Sequence, residues 1–307
     1  MNATGPDPIR AFITLETTFQ KATESRSRID SGFLLQFDGN TYLVTAEHVM
    51  EEHDRLIEAG YEAVAAKVVT FSWFDRSIDG SKGLRGDEIP IHYKQLAYHS
   101  PGYFKRLIRD PEFYGGTPGK EALNSLCADP HVKEFLTVSG YEHWDFVLIP
   151  VSELTHMNLK ALNVRPLEIL PMDDSSIEIS EIRLLGVPER TIALPGEVNP
   201  VHPEYCIEST LLALEPPESS YFYAKRPSRT LLPLRFEIRE GTAKSNSFVG
   251  CSGGPVVAYT NRGVYLLGVQ VTQIPRGTVD ELEVQDPRIF LEIVRGALQE
   301  GIEHHAD

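Results

Sequence analysis

Short β-type runs separated by turn residues recur along most of this chain, and this pattern limits its fold more than any other feature. Residues 31–37 and 41–45 flank an Asp-Gly-Asn turn, which is typical of a β-hairpin. Residues 256–259 and 264–272 flank a second polar turn in the same way. Many short strands and few long helices predict an all-β protein.

Further strands are predicted outside the two hairpins, where β-branched and aromatic residues cluster between polar segments. Polar loops are expected at residues 21–28 and 75–88. The predicted strands are residues 11–20, 64–74, 145–151, 167–170, 177–179, 182–188, 206–214, 221–223 and 231–237.

Two segments depart from the β pattern. Glycine and proline interrupt the chain early in residues 100–140 and helical stretches follow, so this segment is interpreted as a partly helical insertion into the β core. Apolar residues recur at helical spacing in residues 286–299, which predicts a C-terminal helix. The predicted parts are an N-terminal domain at residues 11–152, a C-terminal domain at residues 153–275, and a helix and tail at residues 276–307.

Composition argues against several classes of function. The chain of 307 residues has 41% hydrophobic and 24% charged residues, which is ordinary for a soluble globular protein. Its net charge of −15 repels phosphate backbones and argues against a nucleic-acid partner. No apolar run approaches the roughly 20 residues that span a bilayer, so no membrane partner is expected.

Cysteine usage and the first residues bear on compartment and cofactors. The three cysteines, Cys127, Cys206 and Cys251, form neither a disulfide framework nor a paired metal-ligand spacing. Residues 1–10 are polar and lack the apolar core of a signal peptide. A cytoplasmic protein without a metal or another cofactor is therefore expected.

Residues 249–256 surround Ser252 with glycine and other small residues. Glycines let the backbone approach a bound group closely, and the flanking N–H groups can then point at one spot beside the hydroxyl. Acyl transfer needs a nucleophile with donors placed where negative charge develops. A glycine-rich turn between two strands is the alternative, because short motifs also match by chance.

The residues after Ser252 distinguish two classes of serine hydrolase. The G-x-S-x-G elbow of α/β-hydrolases requires a helix after the serine, followed by an acid and a histidine further along. Here Pro255 and a β-type run follow, and the only later histidines are His304 and His305. An esterase of that class is therefore disfavoured, and the histidine and acid are expected ahead of Ser252.

Two earlier residues have the chemistry that such a serine needs. His48 directly follows a predicted strand, and a neutral imidazole accepts a proton near neutral pH. Asp145 lies at the mouth of an apolar run, where burying a carboxylate is costly without a partner such as an imidazole N–H. A surface histidine and a turn-capping aspartate are the alternatives.

Three motifs occur in the order known from one family: Thr-Ala-Glu-His at residues 45–48, Asp-Phe-Val-Leu at residues 145–148 and Gly-Cys-Ser-Gly-Gly-Pro at residues 250–255. The set resembles the chymotrypsin/trypsin-like serine peptidases, whose motifs are T-A-A-H, D-[IVF]-A-L and G-D-S-G-G-P. The resemblance covers about residues 31–273. It implies two antiparallel six-stranded β-barrels with an active site between them.

The resemblance also implies a role for each motif residue. Ser252 would be the nucleophile, His48 the general base and then the acid, and Asp145 the group that orients His48. The N–H groups of Gly250 and Ser252 would form the oxyanion hole. The residues implied in substrate binding are Asn246 at the floor of the specificity pocket, and Val271 and Gln273 on the strand that lines the cleft.

Departures from the family pattern predict how this chain would differ. Cys251 stands where trypsin has the aspartate that binds a new N-terminus, so that activation switch is expected to be missing. Glu47 replaces a small alanine beside His48. Asn246 is neutral, so a preference for Lys or Arg in the substrate is not expected.

Together these features predict a serine endopeptidase that cleaves a protein or peptide through an acyl-enzyme on Ser252. Because the trypsin-type switch is missing, control by an activating protein partner or a ligand is expected. The alternative is a catalytically idle peptidase-like domain that binds a protein or peptide.

Overall fold

The elements whose bounds lie among the residues that the computed structural model describes are mostly β-strands, with the α-helix Glu47–Glu58 and the 3-10 helix Pro8–Arg10. This content confirms the predicted all-β class. The described residues are 7–75, 82–91, 128, 145–151, 164–171, 176–186, 208–212, 234–237, 250–276, 279–288 and 291. The elements are the 3-10 helix (Pro8–Arg10), β1 (Phe12–Lys21), β2 (Glu24–Phe37), β3 (Asn40–Thr45), α1 (Glu47–Glu58), β4 (Glu62–Asp75), β5 (Lys82–Ile91), β6 (Val147–Pro150), β7 (Ile179–Gly186), β8 (Glu208–Leu212), β9 (Leu234–Glu237), β10 (Pro255–Thr260), β11 (Gly263–Arg276) and β12 (Val279–Gln285).

The first sheet is antiparallel, with the strand order β5-β4-β1-β2-β3-β6. Its predicted β2–β3 hairpin turns at Asp38 and Gly39, whose φ angles of 49° and 78° are both left-handed. Two such residues in succession are typical of a type I′ turn, which matches the twist of paired strands. Thr45 at the end of β3 pairs with Val147 at the start of β6. The start of α1 therefore lies beside the residues that precede β6.

The second sheet is also antiparallel, with the strand order β8-β7-β10-β11-β12-β9. Its β10–β11 hairpin turns at Asn261 and Arg262, as the sequence predicts. Within the described parts of the chain, no pairing joins β5 to β6 in the first sheet or β8 to β9 in the second. The structure thus gives two six-stranded antiparallel sheets, and their closure into two barrels stays a prediction.

Four elements differ from the sequence prediction. The loop expected at residues 21–28 is a two-residue turn, because β1 and β2 stay paired as far as Lys21 and Glu24. The first four residues of β2 are exposed and polar, so they carry no burial pattern that indicates a strand. β5 occupies the second half of the loop expected at residues 75–88, and neither α1 nor β12 is indicated by the sequence pattern.

A single segment, residues 164–171, contacts both sheets through its main chain. Leu167 forms a parallel bridge with Leu35 of β2, and Ile169 forms another with Leu266 of β11. Main-chain hydrogen bonds in both directions accompany each bridge. The two sheets are therefore joined by one continuous stretch of backbone.

Buried apolar side chains also join the two sheets. Phe12, Val69 and Phe71 of the first sheet form a buried cluster with Leu185 of β7. The ring centroids of Phe12 and Phe71 lie 5.8 Å apart. Full burial of one such side chain contributes about 1.5–3 kcal/mol, so this cluster stabilises the contact between the sheets.

Several predictions fall outside the described residues. These are nearly all of the insertion at residues 100–140, most of the C-terminal helix and the tail. The division into domains stays a prediction. No helix in the described ranges is both long and apolar enough to cross a membrane.

Candidate active site

His48 lies in the first turn of α1. β3 leads into this helix through Ala46, whose backbone is extended with φ −74° and ψ 145°. A helix forms here because one of its faces is buried, although the segment is otherwise polar. The buried residues of that face are Val49, Met50 and His53. A helix, and not the end of a strand, therefore holds His48 in place.

Both carboxylate oxygens of Asp145 bind His48. Nδ1 of the ring lies 2.5 Å from Oδ2. The main-chain N–H of His48 donates to Oδ1 at 2.8 Å. This second bond fixes the carboxylate relative to the helix. Because the same carboxylate binds Nδ1, it holds the ring in one orientation, and Nε2 is the ring nitrogen that Asp145 does not bind. The structure thus brings together two predicted site residues that are 97 positions apart.

The surroundings of His48 raise its pKa above the ordinary value of 6.5. The hydrogen bond with Asp145 is the largest cause, and partial burial opposes it. The negative charges of Asp145, Glu52 and Asp30 add to the increase. Side-chain exposures of 39% for His48 and 27% for Asp145 leave the pair in contact with solvent, through which protons can exchange.

Gln285 of β12 supports Asp145 from the second sheet. The main-chain N–H of Asp145 donates to Oε1 of Gln285 at 2.7 Å. The Gln285 residue is 2% exposed. Because the amide is buried, its oxygen has little competition from water, and the bond ties the acid of the first sheet to a strand of the second.

Ser252 lies in a tight loop that is anchored to β11. The φ angles of Gly250 and Gly253 are 89° and 86°, which other residues rarely adopt. The N–H of Gly253 donates to Gln270 O at 2.8 Å, and the N–H of Gln270 donates to Gly254 O at 2.9 Å. These bonds fix the loop at the start of β10, where the partly exposed Ser252 has limited freedom.

The serine loop also packs against the segment that leads to His48. A β-carbon built on Gly253 would lie 2.7 Å from the main-chain nitrogen of Ala46 and 2.6 Å from Oγ1 of Thr45. Only glycine fits such an approach. The residue next to Ser252 therefore touches the β3–α1 junction, two positions before His48.

The Ser252 hydroxyl is directed at a main-chain carbonyl. Its Oγ donates to Val271 O at 3.3 Å. A hydroxyl has one proton, and while Val271 O accepts this proton the imidazole of His48 does not. The hydroxyl must turn away from Val271 O before its proton can pass to His48.

The remaining predicted site residues have different outcomes. Gly250 opens the serine loop, and in the described part of the chain no acceptor takes its N–H or that of Ser252. Val271 is a buried residue of β11, and Gln273 pairs with Leu282 through the backbone of the same strand. Asn246 lies outside the described residues.

Cys251 is part of the core. It is 1% exposed and belongs to the main apolar cluster of the second sheet. A β-carbon on Gly186 would lie 2.6 Å from its sulfur, so the side chain points into a tight space. Cys251 therefore behaves as a small buried apolar residue.

Sequence reasoning does not identify four residues around the site. They are Asp30, Ser31, His53 and Gln285, each of them at most 5% exposed. Asp30 Oδ2 lies 3.0 Å from Nε2 of His53 on α1. Each contact joins segments far apart in the chain, and only the folded structure brings such partners together.

Comparisons with known proteins add little to this geometry. No protein-family model matches the chain, and no curated protein matches it. Among solved structures, the chain is similar to one described as the protease Anisep from Arthrobacter nicotinovorans. The sequence identity is 12%, the TM-score is 0.39, and the match covers 91% of this chain and 92% of that one. A likeness at this level carries no argument about fold or activity.

Proposed function

We propose that this protein is a serine endopeptidase that hydrolyses peptide bonds through an acyl-enzyme on Ser252. The observation that carries the proposal is that Asp145 binds both the ring and the main-chain N–H of His48. The serine loop packs against the start of the same helix. A capping or surface histidine has no need of a carboxylate that binds both its ring and its backbone.

The first half of the reaction forms the acyl-enzyme. The hydroxyl of Ser252 turns from Val271 O to Nε2 of His48, which takes its proton as Oγ bonds to the carbonyl carbon of the substrate. The negative charge then develops on the carbonyl oxygen, where the N–H groups of Gly250 and Ser252 stabilise it. The imidazolium gives its proton to the leaving amine as the C–N bond breaks.

The second half releases the product. Water loses a proton to Nε2 of His48 and its oxygen attacks the acyl carbon. The resulting intermediate collapses, the bond to Oγ breaks, and Ser252 regains its proton. In both halves Asp145 stabilises the charged imidazole, which agrees in sign with the raised pKa of His48.

Substrate binding is assigned to the part of β11 that extends beyond its pairing with β10, which ends at Val269. A protein or peptide in extended form would run beside Val271 and Gln273, with Asn246 near the side-chain pocket. A neutral pocket would not favour Lys or Arg in the substrate. A cytoplasmic location and control by a protein partner belong to the same proposal.

The test is covalent labelling with a fluorophosphonate, followed by identification of the modified residue. Wild type is expected to be labelled at Ser252, whereas Ser252→Ala and His48→Ala are not. Loss of a triad member lowers turnover by about 10⁴–10⁶-fold in enzymes of this mechanism. Ser180→Ala is a matched control, because Ser180 also donates to a backbone carbonyl but lies elsewhere on the second sheet. Labelling of wild type at another residue would contradict the proposal.

A binding module without catalysis is the second candidate. The observation that favours it is the Ser252 hydroxyl directed at Val271 O and not at His48. This candidate predicts no labelling under any condition, together with peptide binding that survives Ser252→Ala. Labelling that appears only after addition of a cell extract would instead indicate an endopeptidase controlled by a partner.

A further inference from the structure

Ser31 reaches from the first sheet to the serine loop. Its Oγ donates to the main-chain carbonyl of Gly250 at 2.7 Å, across 219 positions of sequence. Ser31 is 1% exposed. Water therefore competes little for this hydrogen bond, and the carbonyl has a fixed direction.

The direction of this carbonyl matters because Gly250 is the residue proposed to supply an oxyanion-hole donor. Glycine passes between left- and right-handed conformations at small cost, so nothing intrinsic keeps φ at 89°. Two torsions of Gly250, φ and ψ, separate its N–H from its carbonyl, so an anchored carbonyl leaves fewer combinations of the two that the loop can adopt. A bond to the Gly250 carbonyl thus limits where the Gly250 N–H points.

The next residue, Cys251, cannot hold the Gly250 peptide in place through an ion pair. Cys251 carries no carboxylate, and it is buried against Gly186 in the apolar core. Its main-chain carbonyl is already an acceptor for the N–H of Gly254 at 2.8 Å. Among the described residues, Ser31 is the side chain that holds the first peptide of the loop.

Ser31 is itself held on both sides. Its carbonyl accepts the hydroxyl of Thr45 at 2.8 Å, and a β-carbon on Gly253 would lie 2.5 Å from the same oxygen. The preceding residue, Asp30, binds the buried His53 of α1. One pair of adjacent β2 residues therefore contacts the helix of His48 and the loop of Ser252.

We propose that Ser31 is a positioning residue, which holds the Gly250 peptide so that the Gly250 N–H stabilises the developing oxyanion. The inference rests on the proposed function. It means that a residue of the chain itself positions the oxyanion-hole donor, a role for which an external partner or ligand is otherwise expected.

The experiment measures inactivation of the full chain by a fluorophosphonate, whose phosphoryl oxygen would occupy the oxyanion hole. Maximal inactivation rate and half-saturating concentration are determined for wild type, Ser31→Ala, Ser31→Thr and the control Ser180→Ala. Removing one oxyanion donor costs about 10²–10³-fold in rate, and a misplaced donor should cost less, about 10–100-fold. Ser31→Ala is expected to show this loss in the maximal inactivation rate, with the half-saturating concentration unchanged.

Ser31→Thr keeps a hydroxyl and is expected to stay within about threefold of wild type, as is Ser180→Ala. Equal losses in Ser31→Ala and Ser31→Thr would overturn the inference, because volume and not the hydroxyl would then matter. An unchanged maximal rate in Ser31→Ala would also overturn it. If wild type itself is not labelled, the proposed function fails, which is a distinct result.

Discussion

Substitution of Gly253 by alanine tests whether the serine loop is packed against the first sheet. Gly253 has a φ of 86°, and its added β-carbon would lie 2.5 Å from Ser31 O, 2.6 Å from Thr45 Oγ1 and 2.7 Å from Ala46 N. Two of these three atoms belong to the backbone, which cannot move aside by changing rotamer. Alanine here therefore forces the loop away from the β3–α1 junction.

The cost has two parts, and a second glycine separates them. A left-handed conformation costs alanine about 1–2 kcal/mol, and overpacking a tight site costs about 1–3 kcal/mol more. Gly60 has the same φ of 86°, but a β-carbon there would meet only the flexible side chain of Lys21 at 3.6 Å. Gly60→Ala should thus lose about 1–2 kcal/mol of unfolding free energy, and Gly253→Ala about 2–5 kcal/mol.

Urea unfolding of both variants, with linear extrapolation to water, measures the two values. Labelling of Ser252 is followed in parallel under conditions in which both variants remain folded. Gly253→Ala is expected to slow labelling, whereas Gly60→Ala leaves it unchanged. Equal free energies of unfolding for the two variants would refute the packing of this loop against β2 and β3, and with it the geometry on which the proposed site depends.

Four further outcomes are expected. Asp145→Asn should lower the hydrolysis rate of a labelled peptide library by about 10⁴-fold, because the charged imidazole loses its partner; a loss under tenfold would contradict this role. The pKa of His48 is raised and the base must be neutral, so the acidic limb of the rate profile should lie above pH 6.5. Glu52→Gln removes a charge that favours the protonated ring, so the limb should move to lower pH, and movement upwards would exclude this electrostatic account. Gln285→Met leaves the N–H of Asp145 without its acceptor and should cost about 1–3 kcal/mol in thermal unfolding.

Local pattern was sufficient for part of the fold. The β2–β3 hairpin follows from strand-type runs around Asp38 and Gly39, whose backbone adopts the turn that this dipeptide favours. The sequence does not indicate α1, because the buried face of this helix includes a polar residue, His53, in a segment rich in charge. The exposed start of β2 is missed for a related reason, since strands without a buried face have no alternation.

Motif order indicated that His48 and Asp145 belong together, and the structure pairs them. The residues that support them are different in kind. Ser31 and Gln285 each form a side-chain hydrogen bond to a main-chain atom, 219 and 140 positions away. Any serine or glutamine has the chemistry for such a bond, so only the tertiary structure distinguishes these two.

The position of Gln285 has a consequence for biosynthesis. A ribosome adds about 5–20 residues each second, so about 7–30 s separate the appearance of Asp145 from that of a partner 140 positions later. During that interval the growing polypeptide has its imidazole and carboxylate, but the main-chain N–H of Asp145 still lacks its acceptor. Under the proposed function, the His48–Asp145 pair of an unfinished chain therefore lacks this interaction until β12 has been synthesised.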